Sequence, residues 1–137
     1  MANVITPARK AIQARLQAPL EALNCRVEGI PSGKPAPIAR LNCYYSGSDF
    51  SGPQLMQQMA QDELLEFQLL LELNDQRSHE PAETFLEEIK KYLTGFNALG
   101  KGDPGYVRRV RIQPLEKEGW GYVITFVQPH DHRQERV

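Results

Sequence analysis

The chain has little cysteine and no long apolar run. Only Cys25 and Cys43 occur among its 137 residues, with no second cysteine pair and no nearby histidine. This spacing fits none of the common zinc motifs and provides no disulfide framework, so we predict two reduced, partly buried thiols. No stretch approaches the roughly 18 uninterrupted apolar residues of a membrane span, and the first residues lack the pattern of a secretory signal. The sequence therefore predicts a protein that is cytosolic at synthesis.

Charge of either sign is not in excess. Sixteen Lys and Arg residues stand against seventeen Asp and Glu residues, which gives a formal net charge of −1. This balance argues against general attraction to nucleic acid or to an anionic membrane surface. Hydrophobic residues make up 41% of the chain and charged residues 24%, as in ordinary globular proteins. We expect a single domain over residues 1–137 with a core of its own.

Catalytic and ligand-binding motifs are also missing. The sequence contains no GxxxxGKS/T pattern. The stretch from Gly100 to Gly105 has GxGxxG spacing, but Gly100-Lys101-Gly102 is interpreted as a loop hinge because no helix follows it. His130-Asp131-His132 has alternating potential metal ligands, but it lies in a polar terminal segment without a third ligand nearby. Glu87-Glu88 point about 100° apart on a helix and are interpreted as surface charge. We therefore expect no catalytic residue, no metal and no cofactor.

Two segments have the apolar spacing of amphipathic helices. The first begins at Thr6-Pro7, a capping residue and a favourable first helical residue, and is expected to end before Pro19 after about three turns. Pro81 opens the second, in which acids come early and lysines late, and Gly95 stands where a left-handed C-terminal cap is expected. The apolar faces are predicted to consist of Ala8, Ala11, Ile12 and Leu16, and of Ala82, Phe85, Leu86, Ile89, Tyr92 and Leu93.

Alternating apolar and polar residues predict the strands. The strand that begins at residue 38 is expected to end at Ser46-Gly47-Ser48. The strand 65–73 is expected to be central, because one of its faces is apolar and Leu64 and Leu70 interrupt the polar residues of the other. We predict an α+β fold with a single antiparallel or mixed β-sheet and two helices packed on one face. The predicted strands cover residues 24–30, 38–45, 65–73, 106–112 and 120–126, and the last two are close enough to form an antiparallel hairpin.

Two segments fit neither pattern. Residues 49–62 include the apolar Phe50, Leu55, Met56 and Met59. Too few of these residues follow a helix or strand period to form a core element, but together they are too many to be left fully exposed to water. This segment is predicted to be a loop or an arm that docks on a neighbouring subunit, and the alternative is that it folds back over its own sheet. Residues 130–137 are polar and are predicted to form a flexible tail.

The only basic concentration is formed by Arg108, Arg109 and Arg111. Strand alternation places Arg109 and Arg111 on one face, whereas Tyr106 and Tyr122 are predicted on the apolar side. Stacking platforms for bases are then missing beside the arginines. A solvated or subunit-facing arginine row is therefore favoured over direct RNA or DNA binding.

A set of short motifs follows a fixed order along the chain. They are Cys43-Tyr44-Tyr45-Ser46-Gly47-Ser48, the strand 65–73, Tyr92-Leu93-Thr94-Gly95-Phe96 and Gly121-Tyr122-Val123-Ile124-Thr125-Phe126. Over roughly residues 8–127 this order resembles the Mu-like prophage tail protein family, the gene-product-thirty-seven family. In that family a strand ends in a Tyr-x-Gly-Ser-like signature and a helix ends in a Leu-Thr-Gly-Phe-like signature.

The resemblance implies a tail-terminator-like fold and a structural role without catalysis. Tail terminators are small α+β proteins that form a ring capping a finished phage tail tube. The protein would be part of a phage tail, a tailocin or a related contractile injection system, assembled in the cytoplasm. Its expected partners are copies of itself, as a hexamer by resemblance, and tail tube or sheath proteins, with no membrane. The candidate interface residues are Phe50, Leu55, Met56, Met59, Arg109 and Arg111.

Two alternative functions remain open at this point. One is an RNA-binding or regulatory α+β module that uses the arginine-rich strand. The other is an enzyme whose site residues lie on loops.

Overall fold

The computed structural model describes residues 3–23, 25–28, 39–50, 62–73, 80–114 and 120–131. The strands form one sheet in the order β1-β2-β3-β5-β4. β1 is parallel to β2 and the other neighbours are antiparallel, so the sheet is mixed, and the predicted α+β class is confirmed. The elements are α1 (Ile5–Glu21), β1 (Cys25–Glu28), β2 (Ala39–Phe50), β3 (Asp62–Leu73), α2 (Glu80–Leu93), β4 (Tyr106–Pro114) and β5 (Trp120–Asp131).

Both helices lie on the same face of the sheet, as predicted. Alternate residues of the central strand β3 are buried, and the pairing register places them beside buried residues of β2 and β5. Phe67, for example, is paired with Tyr45 on one side and with Phe126 on the other. The buried side chains of the helices belong to the same core, and they are Ala8, Ile12, Leu16 and Leu20 of α1 and Ala82, Phe85, Ile89 and Leu93 of α2.

Helix α1 is longer than the sequence predicts. The side-chain oxygen of Asn3 accepts hydrogen bonds from the backbone N–H groups of Ile5 at 3.1 Å and of Thr6 at 3.3 Å, so Asn3 provides the cap that we expected from Thr6. The helix also continues past Pro19. Pro19 lacks the N–H that would bond to the carbonyl oxygen of Arg15, and the continuation past it buries Leu20 completely, which offsets part of that loss.

Helix α2 agrees most closely with its prediction. It ends at Leu93, and Gly95 follows with a φ of 75°, the left-handed conformation expected of a C-terminal cap. Leu86 and Tyr92 are only partly buried, because they flank the buried stripe and do not lie within it. Neither helix is long and apolar enough to cross a membrane, within the residues that the structure describes.

Strand β2 does not end at Ser46-Gly47-Ser48, so that prediction is wrong. The strand continues to Phe50, and its pairing with β3 shifts after Tyr45, which leaves one additional residue before Gly47. Gly47 has a φ of 144°, which side-chain-bearing residues rarely adopt. The turn-like residues therefore form a β-bulge inside a continuous strand, and the first two residues of the 49–62 segment belong to β2.

Other predictions fall partly outside the described residues. Most of the predicted arm, with Leu55, Met56 and Met59, lies outside them, and so do residues 132–137. His130 and Asp131 are not part of a flexible tail, because β5 continues its pairing with β3 to Asp131 and His130 is buried.

Candidate interaction surface

The sheet face opposite the helices carries a second set of aligned side chains, here termed the open face. Neither helix packs on it. In the pairing register, directly opposed residues share a face, so the members can be assigned strand by strand. They are Arg26 and Glu28 of β1, Arg40, Asn42, Tyr44 and Asp49 of β2, Leu64, Glu66, Gln68, Leu70 and Glu72 of β3, Val123, Thr125, Val127 and Pro129 of β5, and Tyr106, Arg109, Arg111 and Gln113 of β4.

Polar side chains of the open face are joined across neighbouring strands. Arg40 Nε and Asn42 Nδ2 both donate to Glu72 Oε1, each at 3.2 Å. The Tyr44 hydroxyl donates to Gln68 Oε1 at 2.9 Å. Cross-strand pairs of this kind contribute about 0.2–1 kcal/mol each. The open face is therefore ordered by its own contacts and does not need a covering layer to fix these side chains.

Arg108 spans the open face from the edge strand β4. Its Nη2 donates to Glu66 Oε2 on β3 at 2.7 Å, and its Nη1 lies 3.9 Å from Asp49 Oδ2 on β2. The guanidinium thus reaches across β5 to acids on two further strands. Since the side chain of Arg108 is 45% exposed, water screens these ion pairs and they stabilise the fold only weakly.

A bulge at Arg108 reverses the predicted alternation of β4. The pairing with β5 shifts between Val107 and Arg109, so Val107 packs against the core while Tyr106 lies on the open face beside Arg109. The prediction that Tyr106 shares the apolar side is therefore wrong. The sequence contained a signal for this bulge, because two consecutive arginines interrupt the alternation of apolar and polar residues.

Arg109 and Arg111 share the open face, as strand alternation predicts. They are opposed to Thr125 and Val123 of β5 and are exposed. Within the described residues neither forms an ion pair with a carboxylate, whereas each of the other arginines of this surface does. Two adjacent cations on an edge strand are therefore available to an acidic partner.

The exposed apolar side chains lie at the two edges of the sheet. Among the strands that the structure describes, β4 has a neighbour on one side only, and its outer side is termed the β4 edge. β1 pairs with the first four residues of β2, so residues 43–50 have one strand neighbour in the described part of the chain, and their outer side is termed the β2 edge. The large apolar residues exposed in the described part are Tyr44 and Phe50 on the β2 edge and Tyr106, Val110 and Ile112 on the β4 edge.

The predicted interface residues do not form one cluster. Phe50 lies at the β2 edge, and Arg109 and Arg111 lie at the β4 edge, with β3 and β5 between them. Leu55, Met56 and Met59 lie outside the described residues. The structure thus divides the described candidates between two opposite edges of one sheet.

Sequence analysis missed the contacts that fix the start of β4. The buried Gln128 accepts a hydrogen bond from the backbone N–H of Ala98 at 2.8 Å and donates to the carbonyl oxygen of Asp103 at 3.0 Å. Gly105 packs so closely on Phe126 that a Cβ there would lie 2.2 Å from the ring. These contacts bind the loop before β4 to β5 and hold the β4 edge in place.

The histidine and the two cysteines that the structure describes among the candidate reactive groups are buried: His130, Cys25 and Cys43. Nδ1 of His130 lies 3.7 Å from Oε1 of Glu63, and within the described residues no three potential ligands form a metal-binding group. Cys25 and Cys43 are free and buried. Burial raises the pKa of each thiol to about 12, so both are protonated near neutral pH.

The fold and its surface define a class of small single-sheet α+β proteins with helices on one face and, in the described part of the chain, two sheet edges that no further strand covers. The family model of the Gp37 protein matches residues 12–132. The chain therefore belongs to the Gp37 family, and the resemblance to the gene-product-thirty-seven family is confirmed.

One solved structure has a similar fold over nearly its whole length. It is a chain described as "Virion of native gene transfer agent (GTA) particle", with a TM-score of 0.63 and 16% sequence identity. The match covers 93% of this chain and 95% of that chain. No curated protein matches the sequence. At this identity the likeness establishes a shared fold.

Proposed function

We propose that the protein is a structural component of a phage-like particle and, more specifically, a ring-forming tail terminator or tail-completion protein. The observation that carries the proposal is the fold match to a chain of a gene transfer agent virion, in a member of the Gp37 family. The match extends over nearly all of both chains, so it concerns the whole subunit and not a shared supersecondary motif.

The architecture suits a ring subunit. A closed ring needs two different, complementary lateral surfaces on each subunit, because every contact joins one side of a copy to the other side of the next. The sheet offers such surfaces at its two edges, while the helices cover one face and provide the core. Within this proposal Phe50, Leu55, Met56, Met59, Arg109 and Arg111 are interface residues, and the subunit has no catalytic role.

The proposed particle is a phage tail, a tailocin or a related contractile injection system. The protein would be assembled in the cytoplasm as a hexameric ring and would contact tail tube or sheath proteins. A terminator stops tube growth at the finished length, so its loss should leave tails that lack a defined end.

Deletion of the gene in the producing strain tests the proposal. We expect electron micrographs to show tails of uncontrolled length or without attached heads, and a plasmid-borne copy to restore finished particles. A Lys10→Glu copy is a matched control, because Lys10 is exposed on α1 and is part of neither edge strand. Finished particles of normal tail length in the deletion strain, or purified particles without the protein, would contradict the proposal.

A second candidate function has one observation in its favour. The bulge in β4 places Tyr106 on the same face as Arg109 and Arg111, and Tyr44 is also exposed there, so aromatic and cationic side chains share an open sheet face. Against it, the acids of that face, Glu66 among them, lower its positive potential. We expect no retardation of single-stranded RNA at physiological salt. Retardation that Arg109→Glu/Arg111→Glu abolishes would favour the RNA-binding module.

A further inference from the structure

We propose that copies of this chain join edge to edge, the β4 edge of one copy pairing with the β2 edge of the next to continue the sheet. This inference rests on the proposed function and specifies the subunit contact that a ring would use.

Residues 109–113 of the β4 edge can accept pairing from a further strand. Every residue from 108 to 113 is exposed, and Ile112 is 57% exposed although it points to the helix side of the sheet. Proteins usually protect a sheet edge with a bulge, a proline or charged side chains. In β4 the bulge lies near the start and Pro114 at the end, so the residues between them keep a regular pairing pattern. Within this described stretch, the charges of Arg109 and Arg111 restrict which strand can pair there.

That charge disfavours pairing of the β4 edge with itself. In a two-fold antiparallel pair centred on Val110, Arg109 of one copy would stand opposite Arg111 of the other on the same face. Like charges directly opposite each other destabilise a strand pair, and here no carboxylate of the described residues neutralises either guanidinium. A different surface is therefore the more favourable partner of the β4 edge, and a contact of this kind between copies is head to tail.

The β2 edge complements the β4 edge on both faces. On the open face it presents Asp49, whose side chain is 72% exposed and lies 3.9 Å from Arg108, at the limit of an ion pair. On the helix side it presents Phe50, which is 52% exposed. On the β4 edge the open face carries the arginines and the helix side carries Val110 and Ile112. Joining the two edges therefore places carboxylate near guanidinium and apolar side chains together.

Strand direction agrees with a cyclic arrangement. β2, β3, β5 and β4 are successively antiparallel, so β4 runs antiparallel to β2 within the sheet. A second copy placed beside the first in the same orientation would present its β2 antiparallel to β4. The sheet can thus continue from copy to copy with the helices always on the same side, as rotation about a ring axis requires.

Charge exchange tests this contact in the purified protein. Arg109→Glu/Arg111→Glu and Asp49→Arg should each lower self-association by about tenfold or more, because each places like charges opposite each other. Their combination in one chain should restore it, since the signs are exchanged on both edges. Lys10→Glu should leave association unchanged. Sedimentation velocity gives the assembly state, and circular dichroism verifies that each variant is folded. Failure of the combined variant to associate, while it remains folded, would overturn the pairing.

Site-specific cross-linking tests the same contact both in solution and in purified particles. Ile112→Cys mixed with Phe50→Cys should cross-link with a short bis-maleimide, and neither variant alone should do so. The native thiols do not compete, because both are buried and protonated. Cross-linking of Ile112→Cys to itself, or to a different particle protein, would overturn the proposal. So would the absence of the mixed product in both solution and particles. If the protein is absent from the particles, the proposed function fails independently of this result.

Discussion

The two faces of the sheet are made by the same strands and are stabilised in different ways. On the helix side, buried residues of β2, β3 and β5 form a continuous apolar layer with both helices. On the open face, cross-strand hydrogen bonds and ion pairs join side chains that remain partly in contact with water. From this contrast we expect the helix side to supply most of the folding free energy, which leaves the open face and the edges available for recognition.

The largest expected effect is the loss of an aromatic side chain from the helix side. Phe67 is fully buried and its ring lies 5.8 Å from that of Tyr45 in an edge-to-face arrangement. Phe67→Ala should lower the free energy of unfolding by about 3–5 kcal/mol, because it removes buried area and leaves a cavity. Urea unfolding followed by circular dichroism measures the change.

The matched control is the next residue, on the open face. Gln68→Ala removes the acceptor of the Tyr44 hydroxyl, which is exposed and can bond to water instead. Its cost should stay below about 1 kcal/mol. Equal unfolding midpoints for the two variants would show that the faces do not differ as described.

The second effect is a loss of stability at alkaline pH, caused by the thiols of the helix side. Burial raises the pKa of Cys25 and Cys43 from 9.0 to about 12, and the charge of Glu21 adds to the rise at Cys25. Between these values the unfolded chain loses protons that the folded chain keeps, so the free energy of unfolding falls as pH rises. The slope approaches about 1.4 kcal/mol per pH unit for each thiol.

A Cys25→Ala/Cys43→Ala variant isolates this contribution. Its stability should decline less between pH 8 and about pH 10 than that of the wild type, as measured by urea unfolding at each pH. Burial also raises the pKa of Tyr122, but this acts in both proteins and cancels in the comparison. In denaturant without reductant, the wild type should take up two equivalents of a thiol reagent. Parallel pH profiles of the two proteins would contradict the assignment.

Local sequence patterns predicted the elements but not their irregularities. The apolar residues of α2, from Ala82 to Leu93, and the cap at Gly95 are set by residues close together in the chain. The sequence alone was therefore sufficient to predict them. The bulge before Gly47 could not be distinguished from a turn, because the same residue types form both. The continuation of α1 beyond Pro19 depends on burial of Leu20 in the core. That burial involves residues distant in sequence, so no local pattern predicts it.

The candidate site was predictable only in part. Alternation correctly placed Arg109 and Arg111 on one face, since it is a property of the strand itself. Which strands form the edges depends on the pairing of β3 with β5, two strands that are far apart in sequence. The exposure of Val110 and Ile112 follows from that order, and a periodic apolar pattern alone assigned them to the core side.

The third effect is steric and concerns the attachment of the loop before β4. A Cβ on Gly105 would lie 2.2 Å from the Phe126 ring and 2.9 Å from the carbonyl oxygen of Val127. Gly105→Ala should therefore cost about 1–3 kcal/mol, as other overpacked sites do. Phe126→Leu shortens the opposing side chain, so the double variant should be less destabilised than the sum of the single variants. Strict additivity in urea unfolding would contradict a direct clash.

The smallest effect is electrostatic and belongs to the open face. Glu72 accepts from both Arg40 and Asn42, and a glutamine there keeps an acceptor oxygen while it removes the charge. Glu72→Gln should therefore cost only about 0.5–1 kcal/mol at low salt. At 1 M salt, where the screening length falls to about 3 Å, most of that difference should disappear. The cost of Phe67→Ala should persist at high salt, because it arises from burial and not from charge. A salt-independent loss for Glu72→Gln would show that the carboxylate acts through packing, and the contrast between the two faces would then be smaller than the structure indicates.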